Sequence, residues 1–439
     1  MGYVLHLFSR NLRLYDNLSL NAALESGHTV VPCFIFTEAM HMHPFSYQFI
    51  ADSLRDLEQE ITKQGGRLHI FKGDPVVVLT GLLKRFSCRD VYVQKDYTPD
   101  FQEFCMRLAE ACTIHAIDNH LIVPPEDNLK SDGSPYRVFT PFLRSAREKD
   151  VRPPQHMHRG KWYTGDISGT SPISDAISHG EACCAGGRKS GLEVLSSLNQ
   201  ITSYADTRDY PFVPTSRLSP HSAWGTLSIR EIVFEAASMM GLHSVFIDEL
   251  YWRDFWFHIA NHFPHVFTNS FISKYDKLPW SHDEELFSAW CTGHTGFPIV
   301  DAGMRELNQT GFMHNRVRMI TASFLTKDLH ISWRQGEQYF ASRLIDWDPC
   351  VNNGNWQWAA STGCDAQPFF RIFNPWSQQK KFDSETRYIK QWVPELTSYS
   401  SKEIHDHGVR HLPHYPQPIV DHSQERVVAL SHYRSVSEH

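Results

Sequence analysis

Apolar and polar positions change their period along the chain. Up to about residue 125, short β-rich runs at 3–9 (YVLHLFS), 29–36 (TVVPCFIF), 67–71 (RLHIF) and 90–94 (DVYVQ) are separated by stretches whose apolar residues recur every three or four positions. SYQFIADSLRDLEQEITKQGG is one such stretch, closed by Gly65-Gly66 as a helix C-cap, and PVVVLTGLLKRF and DFQEFCMRLAEAC follow suit. Strands alternating with helices predict a doubly wound parallel sheet, an α/β domain over residues 1–125. From 126 to 195 the pattern loosens into Gly, Pro, Ser and His, as in an interdomain linker. Beyond 195, helical patterns dominate at 228–241, 247–262, 283–291, 298–309, 313–329 and 334–344, predicting an all-helical C-terminal domain over 196–439. There is no internal repeat and no low-complexity run.

Length agrees with two domains, because 439 residues exceed one ordinary core. With 21% charged and 41% hydrophobic residues the chain has the balance of a soluble globular protein, and nothing in it spans a membrane. MGYVLHLFSRNLRLYDN enters a strand without an apolar targeting region, so a cytoplasmic location is expected. Nine cysteines without a C-x-x-C indicate neither a disulfide framework nor a zinc site, which fits a reducing cytosol. The net charge of −7 argues against coating nucleic acid by bulk electrostatics and leaves room for a local basic track. His41 with His43, and His156 with His158, lie in Pro-flanked polar loops without a third ligand, so no metal is expected. No G-x-G-x-x-G follows the first strand, and GGRKS fits a phosphate loop in neither register nor context.

Candidate chemistry concentrates in a few stretches. Leu344 to Pro375, LIDWDPCVNNGNWQWAASTGCDAQPFFRIFNP, collects acid, amide and indole. Asp346 and Asp348 can accept hydrogen bonds, Asn352 and Asn353 can donate and accept, and Trp356 and Trp358 lie two residues apart. That mix suits a polar aromatic cofactor, although by composition alone a buried loop with core tryptophans fits better. Tyr204-Ala-Asp-Thr-Arg208-Asp-Tyr-Pro, followed by Thr215-Ser216-Arg217-Leu218-Ser219-Pro220 and Ser228-Ile-Arg230, sets hydroxyls and backbone N–H groups ahead of a helix. A pyrophosphate can bind there, but such residues usually only cap. Glu249, Trp252, Arg253 and Trp256 fall at i, i+3, i+4 and i+7 on one helical face, either a floor for a flat ligand or an amphipathic core helix with an ion pair. In TGFMHNRVRM, Asn315 and Met319 are one turn apart, while Arg316 points elsewhere and could meet a phosphate. Trp280, Trp333 and Trp356 occupy three separate helical segments.

Together these stretches resemble the DNA photolyase and cryptochrome family over essentially the whole chain, most closely its class I branch acting on cyclobutane pyrimidine dimers. The resemblance implies one FAD, active in its reduced anionic form, that donates an electron to the dimer under light and regains it after ring splitting. It assigns FAD contacts to Tyr204, Thr215, Ser216, Arg217, Leu218, Ser219, Arg253, Asn315, Arg318, Asp346, Asp348 and Asn352, with Asn352 facing flavin N5. On the substrate side it assigns Glu249, Asn315, Met319, Trp252 and Trp358, and it matches Trp280, Trp333 and Trp356 to the family's electron relay. The implied partner is UV-damaged DNA with the dimer flipped out of the stack, contacted by Glu249, Trp252 and Asn315 and anchored at phosphates by Arg208, Arg316 and Arg371. TGFMHNRVRM is nearly the dimer-repair motif. The (6-4) branch has additional histidine in this helix, and the DASH branch lacks the His-Asn pair. Pro99-Asp100 stands where folate-binding members have Asn-Glu, so a second, antenna chromophore is left open between a deazaflavin, another group and none. A monomer is expected. The rival reading on the same scaffold is a cryptochrome, a blue-light signalling flavoprotein, which SHYRSVSEH as a short tail disfavours; a nucleotide-binding protein without light chemistry is a third.

Overall fold

The computed structural model describes residues 2–37, 43–170, 183–365, 371–410 and 412–436. Two compact units emerge: Met1–His179, Cys184–Thr202 and Ser216–Pro264 form the first, and Gly180–Cys183, Ser203–Thr215 and His265–His439 the second.

In the first unit, β1 (Tyr3–Phe8), β2 (Thr29–Phe36), β3 (His69–Lys72), β4 (Asp90–Gln94) and β5 (Thr113–Ile117) run parallel in the order β3-β2-β1-β4-β5. A two-residue strand, β6 (Lys161–Trp162), pairs with the start of β2. Alternation along the strands decides where each side chain goes. Val4, Phe8, Val30 and Phe34 enter one core with Leu20, Ala23 and Leu24 of the helix Leu18–Glu25 and with Phe49, Leu54 and Leu57 of the helix Pro44–Lys63. Their neighbours Leu5, Val31, Cys33 and Ile35 enter the opposite core with Leu79, Leu82 and Leu83 of Pro75–Phe86 and Leu108 of Pro99–Ala109. Helices cover both faces, which is why β1 and β2 read as nearly continuous apolar runs. The predicted doubly wound sheet is present. β5 went unread because, as an edge strand without one fully buried residue, TIHAI carries little apolar signal.

Residues 126–195 contain the helices Phe139–Ala146 and, at their end, Arg188–Ser196, as well as β6. The helices Ile229–Met240 and Val245–His262 belong with the sheet, and their charged residues show why. Arg230 donates to the buried Asp16 carboxylate through Nε (3.0 Å), to the Leu121 carbonyl through Nη1 (3.3 Å) and to Asn119 Oδ1 through Nη2. The Ser228 hydroxyl also donates to Asp16. Ser228 and Arg230, read from sequence as part of an anion-binding segment, are therefore committed to Asp16. Asp254 accepts the backbone N–H groups of Ile122 (2.8 Å) and Val123 (3.0 Å). Arg188 of GGRKS is likewise engaged, in a two-pronged pair with Glu231.

In the second unit, the helices Glu284–Thr292, Pro298–Thr310, Asn315–Lys327, Trp333–Arg343 and Pro349–Ala360 enclose a core that includes Trp290, Phe297, Leu307, Phe324, Trp333 and Trp356. Most are started by a side chain of their own, Asp283, His314, Ser332 and Asp348 each accepting a backbone N–H of the first turn. The last helix, His422–Ser435, takes in most of the sequence read as a tail, and its Tyr433 hydroxyl donates to the Ala360 carbonyl. All nine cysteines are free thiols. Among the described residues, no helix is long and apolar enough to cross a membrane.

Lys327 ends the helix Asn315–Lys327 fully buried, with Nζ donating to Ser361 Oγ (2.8 Å) and to the Arg371 carbonyl. Burial pushes its pKa down to about 7, with Asp328 opposing. In the unfolded chain a lysine titrates near ~10.4, so between about pH 7 and 10 the unfolded state binds the extra proton and stability rises with pH. Lys327→Met is expected to flatten that rise, measured by chemical denaturation at a series of alkaline pH values; an unchanged slope would contradict it. Asp254 and Glu337, both pushed up to about 7 by burial, act below this window and with opposite sign, since there the folded state holds the extra proton.

Candidate functional site

In the first unit, the helix Val245–His262 carries the predicted face. Trp256 is buried, whereas Glu249, Trp252 and Arg253 are half-buried. The two indoles lie 5.5 Å apart, and the Arg253 guanidinium is oriented by His120, donating to its carbonyl (2.9 Å) and meeting its ring Nε2 (2.7 Å). Upstream, Ser216 Oγ accepts the Leu218 N–H (3.4 Å). Arg217 between them is exposed and left-handed at φ 50°, a conformation rarely adopted by residues other than glycine. The chain thereby turns sharply into the short helix Ser219–Ala223.

The second unit holds the remaining predicted residues. Tyr204 opens a single turn, Tyr204–Thr207, and Thr215 closes that segment. Asn315 is the exposed first residue of the helix Asn315–Lys327, with half-buried Met319 one turn on. His314 caps this helix, its Nδ1 accepting the Arg316 N–H (3.2 Å). Arg316 pairs with Asp209 (2.7 Å) and lies over the Phe382 ring, so its expected phosphate would have to share it with a carboxylate. Arg208 adjoins that carboxylate in sequence. Arg371 is exposed, and Trp358 packs half-buried against the core.

Arg318 and Asp346 are brought into direct contact (2.8 Å). Asp348 starts the helix Pro349–Ala360 by accepting the N–H groups of Cys350 (2.9 Å) and Val351 (3.0 Å), a role that Asp followed by Pro could have signalled. One turn on, Asn352 Nδ2 donates to the Glu337 carbonyl (3.0 Å), which fixes the amide and leaves Oδ1 as the acceptor it can present. Neighbouring Asn353 donates to Glu337 Oε1 (3.0 Å) and to the Val266 carbonyl (3.0 Å). Glu337 was not predicted; a lone carboxylate in a polar helix gives no signal of such a role.

The three tryptophans that the resemblance matches to an electron relay lie in or against one core. Trp333 and Trp356 are buried in the same core, and Trp280 packs half-buried against it. Trp356 lies edge-on to Phe340 (4.9 Å) and to Trp290 (6.2 Å), a fully buried indole absent from the predicted set. Gly336 makes room for it: a Cβ there would come within 2.2 Å of the Trp356 ring. Gly336→Ala should therefore cost about 1–3 kcal/mol by overpacking, seen as a lower melting temperature; an unshifted transition would contradict it.

The two histidine pairs set aside above as metal ligands are described only in part. His41 lies outside the described residues, His156 packs edge-on to Tyr15, and His158 pairs with Glu25 (2.7 Å). Among the described residues there is no cluster of three metal-ligating side chains.

Comparison with known proteins decides the family. Residues 4–158 match the family described as DNA photolyase, and 246–435 match the FAD binding domain of DNA photolyase. The deoxyribodipyrimidine photo-lyase of Vibrio cholerae is 39% identical over 467 residues, covering 98% of each chain. The chain belongs to the DNA photolyase family. Among solved photolyases, that of the archaeon Sulfolobus tokodaii, described with two FAD molecules and a novel light-harvesting cofactor, is 36% identical with a TM-score of 0.88, over 99% of this chain and 100% of that one. A Synechocystis cryptochrome is 28% identical with a TM-score of 0.91, over 98% and 99%. The family resemblance carried by the sequence motifs is borne out, and with it the FAD-binding domain. Residues of that photolyase domain fit the cofactor: an amide with a fixed donor and a presentable acceptor at Asn352, an Arg318–Asp346 pair and oxidisable indoles stand together in one unit.

Proposed function

We propose that this photolyase-family protein repairs cyclobutane pyrimidine dimers in DNA under light. Reduced FAD held by the FAD-binding domain would supply an electron to the dimer and recover it once the bonds joining the two pyrimidines have broken, with no net redox change. The chain's own residues bind and orient. Asn352 Oδ1 would accept the flavin N5–H, and Arg318 and Asp346 would fix the ring edge. Tyr204, Thr215 and Ser216 to Ser219 would bind the diphosphate, Arg253 would add a cationic contact, and Asp348 would lie on the ribityl side. Trp252 and Trp358 would offer apolar faces to the flipped bases, Glu249 and Asn315 would hydrogen-bond their polar edges, and Met319 would pack beside them. Arg208, Arg316 and Arg371 would hold the phosphates.

The observation that carries the lesion type is the start of the helix Asn315–Lys327. Opening a (6-4) product requires proton transfer as well as an electron. His314, the one histidine at this position, is buried and its Nδ1 caps the helix, so protonation there would break the cap; Asn315 and Met319 follow, and no histidine does. Illuminated protein should restore thymines in oligonucleotides carrying cyclobutane dimers and leave (6-4) products intact, as counted by chromatography. Efficient (6-4) repair would overturn the lesion assignment, and failure on both lesions by FAD-loaded, reduced protein would favour the signalling reading.

A further inference from the structure

We propose that Phe139 is a positioning residue for lesion recognition: lying flat on one face of the Trp252 indole, it fixes the plane that the indole offers to a damaged base. The inference rests on the repair reading above, in which Trp252 meets the flipped dimer. The two rings lie 3.6 Å apart between centroids and only 12° from parallel. Offset or edge-on arrangements are the ones aromatic quadrupoles favour, so so close and parallel a stack has to be held by its surroundings. Phe139 is 7% exposed and is backed by Phe142 (6.5 Å) and by the edge of Phe255 (5.8 Å), both buried. Trp252 has Phe255 at 5.7 Å and Trp256 at 5.5 Å on its own helix and stays half-buried. One indole face is thus sealed by a ring from a helix more than a hundred residues away in sequence, and only the remaining surface can serve a ligand.

A side chain already locked in its binding orientation loses little freedom when the ligand arrives. Phe139→Leu keeps the site apolar but removes the flat backing, so the indole must be ordered by the DNA itself. Binding of dimer-containing DNA should weaken roughly 3- to 10-fold, while binding of undamaged DNA, which does not reach Trp252, stays as it was. Repair rate at saturating damaged DNA should be retained, the loss appearing in KM, and Phe139→Tyr should restore both affinity and discrimination.

The experiment measures affinity for matched damaged and undamaged duplexes, with repair kinetics, in FAD-loaded parent, Phe139→Leu and Phe139→Tyr. Should Phe139→Leu fail to fold or to hold FAD, Phe139→Met, which keeps volume without a flat face, takes its place with the same expectation. A selective loss of damaged-DNA affinity rescued by tyrosine supports the inference. Undiminished discrimination, an equal loss on both DNAs, or a fall in rate at saturation without a change in KM overturns it. A parent that does not discriminate would overturn the repair reading itself, and is distinguishable because it precedes any substitution.

Discussion

Trp356→Phe is expected to slow photoreduction of bound, oxidised FAD on the order of tenfold or more, equivalent to at least ~1.4 kcal/mol on the limiting step, while chemically pre-reduced protein still repairs DNA. The substitution keeps an aromatic ring against Phe340 and Gly336 but removes an oxidisable indole from the buried core. Trp333, 1% exposed, shares that core, and half-buried Trp280 packs at its margin, so an electron moving inward through the three would leave the oxidised site at the wetter end. Trp290 lies edge-on to Trp356 without reaching the margin, because it is fully buried. The measurement is the loss of oxidised-flavin absorbance under blue light with an external reductant. Undiminished photoreduction in the variant would show that electrons enter by another path.

Glu249→Ala is expected to remove about 1–3 kcal/mol of transition-state stabilisation, the usual cost of leaving a buried polar group without its hydrogen bond, which corresponds to a roughly 5- to 150-fold drop in repair per photon-limited turnover. Glu249 is half-buried on the face that carries Trp252 and Arg253. Negative charge developing on the dimer would make a hydrogen bond to a base carbonyl stronger in the transition state than in the ground state, so the loss should fall on the rate with damaged DNA bound. Single-turnover repair with saturating DNA reads it directly. An unimpaired variant would remove Glu249 from the substrate side.

Much of this was legible in the sequence where a periodic signal ran long. The helices Pro298–Thr310, Asn315–Lys327 and Trp333–Arg343 match the patterns at 298–309, 313–329 and 334–344 to within a residue or two, because each combines a sustained apolar stripe with its own start signal. β5 was missed because an exposed edge strand needs no apolar face. At the candidate site, side-chain types were readable but their commitments were not. Arg316 looks free until Asp209, more than a hundred residues earlier, is found 2.7 Å away. Ser228 and Arg230 look like anion ligands until Asp16 appears beside them. Glu337, Gly336 and Phe139 give no local signal at all, since what each does depends on a ring or amide contributed by another element.

The bond between Asp16 and Arg230 spans 214 positions, and the core beneath β1 and β2 is completed by Ala223 and Trp224. As the chain leaves the ribosome, strands β1 to β5 emerge first, yet the carboxylate at Asp16 lacks its partner Arg152 (3.2 Å) until residue 152 has followed and Arg230 until residue 230, and that core has no lid until Ala223 and Trp224 arrive. A nascent chain stopped after the fifth strand would therefore carry an unpaid charge in its interior and an open apolar face, a species for chaperones rather than a folded domain. Closing so long a loop costs more entropy than closing the local strand–helix contacts, so the Asp16–Arg230 contact is expected late on the folding path.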